Sequence, residues 1–212
     1  FRRVQDDHSY TTTSISLGGF VRTLSDRSVL LVSTAALCTN SMNLFLNSWV
    51  PTFATEELSL SLAGAGGTAA LISFMGVIAR PGGGWLSDRI GSRRRPIIIA
   101  SFLLSMPLFV VLTQRVDPML FAFLLISLGF SLQLGGGLYF VYIQEVVPSH
   151  VTGTSLAVVT SFSVGGALVA PIVGGWIVDA ISWYVAFGFN IALGIAGIVV
   201  ILSTPEATNA RA

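Results

Sequence analysis

Six stretches of this chain are long and apolar enough to cross a membrane: 29–53, 62–86, 96–113, 118–143, 154–178 and 182–203. A helix rises 1.5 Å per residue, so about 20 apolar residues are needed to traverse hydrocarbon about 30 Å thick. Backbone placed in lipid must satisfy its N–H and C=O groups internally, and only a helix does so within one segment. The runs are continuous rather than alternating, which argues against a transmembrane barrel. Their limits are chemically marked. Asp117 is placed to cap a helix beginning at Pro118, Pro96 falls in a first turn, and Pro148 and Gly153 end one span and open the next. The expected fold is an all-α integral membrane bundle of six transmembrane helices over 28–204, with a cytoplasmic linker at 1–27 and a cytoplasmic tail at 205–212.

Composition narrows the possible partners. The chain is 53% hydrophobic and 10% charged, with a mean hydropathy of +0.80, too apolar for a soluble domain and suited to a lipid bilayer. A net charge of +1 with clustered bases excludes a broad nucleic-acid footprint. Cys38 stands alone, so no disulfide or cysteine-based metal site can be assembled within the chain. Catalysis in a membrane needs nucleophiles, acids or metal ligands gathered at one depth, and His8, His150 and Cys38 are scattered. No enzyme activity, metal or cofactor is expected. No Walker sequence supports ATP coupling. The sequence opens at Phe1 without a basic segment leading into a short apolar run, so no signal peptide is visible and a fragment of a longer chain is expected.

Arginine asymmetry sets the expected orientation. With both termini on one side, that side carries Arg2, Arg3, Arg22, Arg27, Arg89, Arg93, Arg94, Arg95 and Arg211, against Arg115 on the other. Both termini and the 87–95 loop are therefore expected in the cytoplasm, in a plasma or inner membrane. Trp49, Trp85, Trp176 and Trp183 fall near span ends, where indoles prefer to sit. Leu17, Phe20, Val21 and Leu24 recur at helical spacing and fit either a surface helix or a plain lead-in to the first span.

The loop after the second span reads "GGGWLSDRIGSRRR", residues 82–95. Topological anchoring accounts for its arginines but not for their order with Gly84, Leu86, Ser87, Asp88, Arg89, Gly91, Arg93 and Arg94. That order, G-x-L-[AS]-D-R-x-G-x-R-R, resembles the cytoplasmic-loop signature of the major facilitator superfamily. The segment "QEVVPSHVTGTSLAVVTSFSVGGALVAPIVGGWIVD", 144–179, is similar to the family's connection from the tenth to the eleventh helix, through Glu145, Pro148, Gly153, Gly165, Gly166, Pro171, Gly174, Gly175 and Asp179. One departure is Thr152, where many members carry arginine.

The resemblance implies half of a twelve-helix fold. The spans would be helices seven to twelve of a secondary transporter, facing a missing N-terminal six-helix half or a second copy. In the conformational-latch reading, Asp88 accepts hydrogen bonds from a helix N-terminus of the other half, and Arg89 or Arg93 pairs with Glu145. Gly82, Gly83 and Gly84 would remove bulk where helix ends approach, and Gly91 would permit a tight turn. The alternative is that Asp88 is an ordinary solvated carboxylate.

Polar residues inside spans are expensive, so their placement marks candidate pathway positions. Asn40, Asn43 and Asn47 share one helical face of the first span and can line a hydrophilic cavity or bond to another helix. The fourth span holds Gln133, Gly135, Gly136, Gly137, Tyr139 and Tyr142, where the glycines supply a bend or close packing and the tyrosines contact substrate or anchor at the interface. Arg80 lies about 12 Å along its helix from Asp88. The stretch "ARPGGGWLSDRIG" resembles nitrate/nitrite porters, whose arginine at this place binds the anion, but the glycine-dense fifth span of those porters is replaced by "TSFSVGGALVAPIVGG". Gly166, Ala170 and Gly174, and likewise Gly188, Ala192 and Ala196, read as packing seams.

The expected function is alternating-access transport of a small molecule or ion, with small-anion transport and a non-transporting receptor as alternatives. No Asp or Glu lies well inside a span, so no proton-carrying carboxylate is apparent in this chain.

Overall fold

The computed structural model describes residues 23–114 and 116–204. Seven helices follow in order: α1 (Arg27–Glu56), α2 (Leu62–Arg89), α3 (Arg94–Leu112), α4 (Pro118–Gly136), α5 (Leu138–Val146), α6 (Thr152–Ala180) and α7 (Trp183–Leu202). A short 3-10 turn, Ser149–Val151, precedes α6. Because α4 and α5 continue one another across Gly137, they make one span, and six helical segments are long and apolar enough to cross a membrane. Both tails, the surface-helix reading at residues 17–24 and Arg115 fall wholly or largely outside the described residues.

Local chemistry explains the helix starts. The Asp26 carboxylate accepts from the backbone N–H of Ser28 (2.8 Å) and Val29 (3.2 Å), and Asp117 accepts from Met119 (3.0 Å) and Leu120 (3.1 Å) ahead of Pro118. Ser61 caps α2 through the Gly64 N–H at 3.2 Å. The reversal between α2 and α3 is made by Gly91 at φ +82° and Ser92 at φ +57°, left-handed conformations that favour glycine at the first position.

Burial orders the spans. α1 and the α4–α5 span form the centre, with 61% and 56% of their most apolar windows buried, whereas α2 and α6 reach only 28% and 22%. α2 and α6 therefore flank an open face. Phe74, Val77, Ile78 and Trp85 of α2 are exposed, as are Leu168, Ile172 and Trp176 of α6.

Glycines set how closely the helices approach, and they differ from the sequence-based expectation. A Cβ on Gly83 would overlap the carbonyl oxygen of Leu134 in α4, while one on Gly82 or Gly84 would meet nothing within 4 Å, so one glycine of the three makes the helix contact. In α6, Gly166 lies against Leu37 and Ser41 and Gly174 against Phe45, with buried Ala170 between them. The expected α7 seam is corrected. Gly188, Ala192 and Ala196 are exposed, and the close approach is made one face away by Gly194 against Met106 and Gly197 against Phe102. Periodicity alone supports either face of a helix this apolar.

The Trp expectation divides. Trp85 and Trp176 are exposed near span ends, but Trp49 donates to the Pro171 carbonyl of α6 at 2.8 Å and Trp183 is buried. Both belong to an aromatic cluster with Phe53 and Phe187 at the end of the bundle remote from Asp88.

Gly83→Ala is expected to destabilise the protein by about 1–3 kcal/mol through overpacking, while Gly82→Ala is neutral or slightly stabilising. Thermal unfolding of the purified variants in one detergent measures the difference; equal midpoints would count against the α2–α4 contact.

Candidate functional site

Five of the candidate pathway residues come together. Asn40 and Asn43 of α1, Arg80 of α2, Gln133 of α4 and Tyr139 of α5 line a cleft of about 30 Å³, with Ser163 of α6 on its far wall. Helical spacing carries this: residues three and four apart share a face, so Asn40 and Asn43 point the same way. Asn40 donates to the Ser163 carbonyl at 2.9 Å, tying α1 to α6. Arg80 donates through Nε (3.2 Å) and Nη2 (3.1 Å) to Oε1 of Gln133. The Gln133 carboxamide fits because Gly76 lies opposite, where a Cβ would stand 2.8 Å from Nε2. Asn43 Nδ2 is buried and has no hydrogen-bond partner among the described residues. An unpaired amide of this kind costs about 1–3 kcal/mol, so it marks a place where a ligand acceptor is favoured.

Asn47 and Tyr142 stand apart from the cleft. Asn47 donates to the Asn43 carbonyl at 2.8 Å and accepts from Ser73 of α2 at 2.9 Å, so it links helices. Tyr142 is buried and donates to Thr204 at 2.9 Å beyond the end of α7. Tyr139 shares a 2.5 Å hydrogen bond with Thr39 of α1. Neither tyrosine is an interfacial anchor. The three glycines divide their expected roles: Gly135 packs on Ser101 and Ile98, Gly136 borders the cleft, and Gly137 is the break between α4 and α5.

The charged loop forms a compact network at one end of the bundle. Arg94 donates to Asp88 at 2.6 Å and to Glu145 at 3.1 Å. The expectation assigned Glu145 to Arg89 or Arg93, and the structure gives it to Arg94. The left-handed turn at Gly91 and Ser92 brings the first residue of α3 back over the end of α2, so Arg94 reaches both carboxylates. Arg89 stacks instead on Trp85, its guanidinium carbon 4.0 Å from the ring centroid, and Arg93 is exposed. Arg95 donates to the carbonyls of Leu202 and Thr204, closing the end of α7. Thr152, the departure from the family pattern, donates to the Pro148 carbonyl at 3.2 Å.

Sequence reasoning missed Ser87, Thr39, Ser73 and Ser163 as partners. Ser87 is fully buried, donates to the Arg93 carbonyl at 2.9 Å and accepts from Arg94 at 3.0 Å, which holds the turn and the arginine together. Its signal was the small-residue position of the loop motif. The others are single hydroxyls or a carbonyl, which no spacing distinguishes from ordinary helix residues.

The Major Facilitator Superfamily model matches residues 4–171. The chain belongs to the major facilitator superfamily. Curated relatives include a probable galactarate/D-glucarate transporter of Pseudomonas putida, 24% identical over 74% of this chain and 36% of that protein. A probable nitrate/nitrite transporter of Mycobacterium tuberculosis is 28% identical over 64% of this chain and 34% of that protein. The proline/betaine transporter of Escherichia coli K12 is 29% identical over 73% and 31%. The fold matches the inward-open xylose transporter XylE from E. coli with a TM-score of 0.71 at 17% identity, over 85% of this chain and 48% of that one. This superfamily member thus spans about a third of the curated relatives it matches and about half of the solved transporter.

Arg94→Gln is expected to lower stability by about 2 kcal/mol, because it strips charged hydrogen bonds from Glu145 and Asp88, whereas exposed Arg93→Gln stays within about 0.5 kcal/mol of the parent. Chemical unfolding in detergent reads the contrast, and equal losses for the two would contradict the geometry.

Proposed function

We propose that this chain is the C-terminal half, helices seven to twelve, of a twelve-helix secondary transporter that moves a small polar solute by alternating access. The N-terminal half would cover the open face between α2 and α6; a second copy of this chain is the less favoured occupant. The observation that carries the reading is the buried, unpaired Asn43 amide beside Arg80 and Gln133, in a cleft bounded by the two least-buried spans. Such groups are tolerated at membrane depth where they face water, a partner or a ligand. The Asp88–Arg94–Glu145 network would hold one conformation at the cytoplasmic end, with Asp88, whose side chain is 62% exposed, available to a helix of the other half.

A small-anion substrate is the second reading. Arg80 uses Nε and Nη2 on Gln133, and its Nη1 makes no hydrogen bond among the described residues, which leaves a donor for an oxyanion. Galactarate, D-glucarate, nitrate, nitrite, proline and betaine, the compounds named for the relatives, all carry an oxyanion group. A guanidinium grips such a group through a planar fork that lysine lacks.

Uptake of labelled nitrate and D-glucarate by the full-length parent in proteoliposomes tests both readings. Arg80→Lys should raise the apparent KM for an anion at least tenfold, and unchanged KM would reduce Arg80 to a snorkelling anchor. Substrate should protect cysteines placed at 43 and 80, but not at 192, from thiol reagents; protection at 192 alone would overturn the pathway. Binding without uptake would identify a receptor.

Asp88→Asn should slow uptake while leaving membrane insertion intact, and normal kinetics would return Asp88 to ordinary loop chemistry. A cysteine at position 92 in a Cys38-free background should resist an impermeant reagent applied from outside. Its labelling would reverse the topology.

A further inference from the structure

The end of the bundle remote from Arg94 holds a second cavity, about 220 Å³ in volume. Phe53 and Glu57 at the end of α1, Gln114 just beyond α3, and Trp183, Tyr184 and Phe187 in the first turns of α7 form its wall. None of these residues lines the cleft at Asn43. Phe53 lies ten residues further along α1, about 15 Å away.

Two features of this cavity favour positive charge, an aromatic lining and a carboxylate. The rings of Phe53, Trp183 and Phe187 are locked: Phe53 meets Trp183 and Phe187 at 5.2 Å with interplanar angles of 73° and 81°. Beside these buried rings the exposed ring of Tyr184 also lines the cavity, and an aromatic face attracts cations. The Glu57 carboxylate stands at the rim as the C-cap of α1, next to Glu56, and makes no ion pair among the described residues. α1 and α3 both end here, so the negative ends of two helix dipoles converge. The N-termini of α2, α4 and α7 lie at the same end and offset that field, so the helix dipoles do not set the sign and the Glu57 carboxylate carries the preference. No described arginine lies at this end: Arg27, Arg80, Arg89, Arg93, Arg94 and Arg95 sit at the start of α1, within or at the end of α2, and at its junction with α3.

We propose that this cavity is a binding site for a small organic ammonium ion, its cationic head against Glu57 and the aromatic faces and its apolar part on Phe53 and Phe187. The same chemistry is offered by a soluble amine and by the amine of a lipid headgroup. Exposed Tyr184 in the first turn of α7 puts the cavity near a span end, where both have access.

Radiolabelled benzyltrimethylammonium is the probe, applied to the full-length protein in nanodiscs of phosphatidylglycerol alone. Saturable binding is expected, at least tenfold weaker in Glu57→Gln and in Tyr184→Leu, two exposed positions where substitution spares the core. Arg93→Gln, at an exposed position at the other end, should leave the affinity unchanged. Arg115, next to Gln114 in sequence and outside the described residues, gives a sharp control: Arg115→Gln should keep or raise affinity. A loss there would mean that probe binding does not follow the charge at this end and would overturn the proposal. So would absence of saturable binding, equal displacement by uncharged neopentylbenzene, or unaltered affinity in both Glu57→Gln and Tyr184→Leu. Suppression of probe binding by added phosphatidylethanolamine assigns the natural ligand to the lipid amine, and insensitivity to it assigns a soluble amine. Both outcomes support the ammonium site.

Discussion

Hydrocarbon offers no hydrogen bonds, and the way this chain satisfies its polar groups without water shapes everything else in the bundle. Most hydroxyls inside the spans turn back onto their own helix. Thr34 donates to Leu30, Ser101 to Ile98, Ser105 to Phe102 and Ser127 to Phe123, so these side chains are silent. Against that background the exceptions are informative. Buried side-chain atoms lacking a partner among the described residues include Asn43 Nδ2 on the cleft and Glu145 Oε2 in the charge network. Ser33 Oγ, Ser155 Oγ and Asn190 Oδ1 are the others, so a missing partner alone does not mark a site, and the cleft stands out because Asn43 lies there beside Arg80 and Gln133.

One short helix connects the cleft and the charge network. α5 is nine residues long and carries Tyr139 on the cleft, Tyr142 on Thr204 and Glu145 on Arg94. It follows α4 across Gly137, where an added Cβ would meet nothing within 4 Å. The cleft wall, the bond to the end of α7 and the ion pair therefore share one short helix. The polar centre and the charged end are thus joined by continuous helix rather than by loops.

Much of the fold was legible because span length and caps are local. Asp117 and Pro118 begin α4 as their chemistry requires, and the spans agree with hydropathy to within a few residues. The candidate cleft was partly legible, since an asparagine stripe at three- and four-residue spacing has to share a face. Which partner each residue takes was not. Arg94 rather than Arg93 reaches Glu145 because two left-handed residues reverse the chain, and a run of three arginines carries no mark of that turn. In α7, an almost uniformly apolar helix, small residues occur on two faces, and only the position of Phe102 and Met106 reveals which face is packed. Tyr142 was read from its place near a span end, whereas its depth is set by Thr204, 62 positions along the chain.

The three glycines at 82–84 are identical letters under unequal demands. Two of them face open space within this chain, and the middle one lies against a carbonyl that no side chain can move aside. Drift should therefore treat them differently. Gly83 is fixed by contacts inside its own six-helix unit, while no contact within this chain constrains Gly82 and Gly84. Substitutions should accumulate at these two positions while position 83 stays glycine, so the packing of α2 on α4 would be visible as one invariant letter between two variable ones.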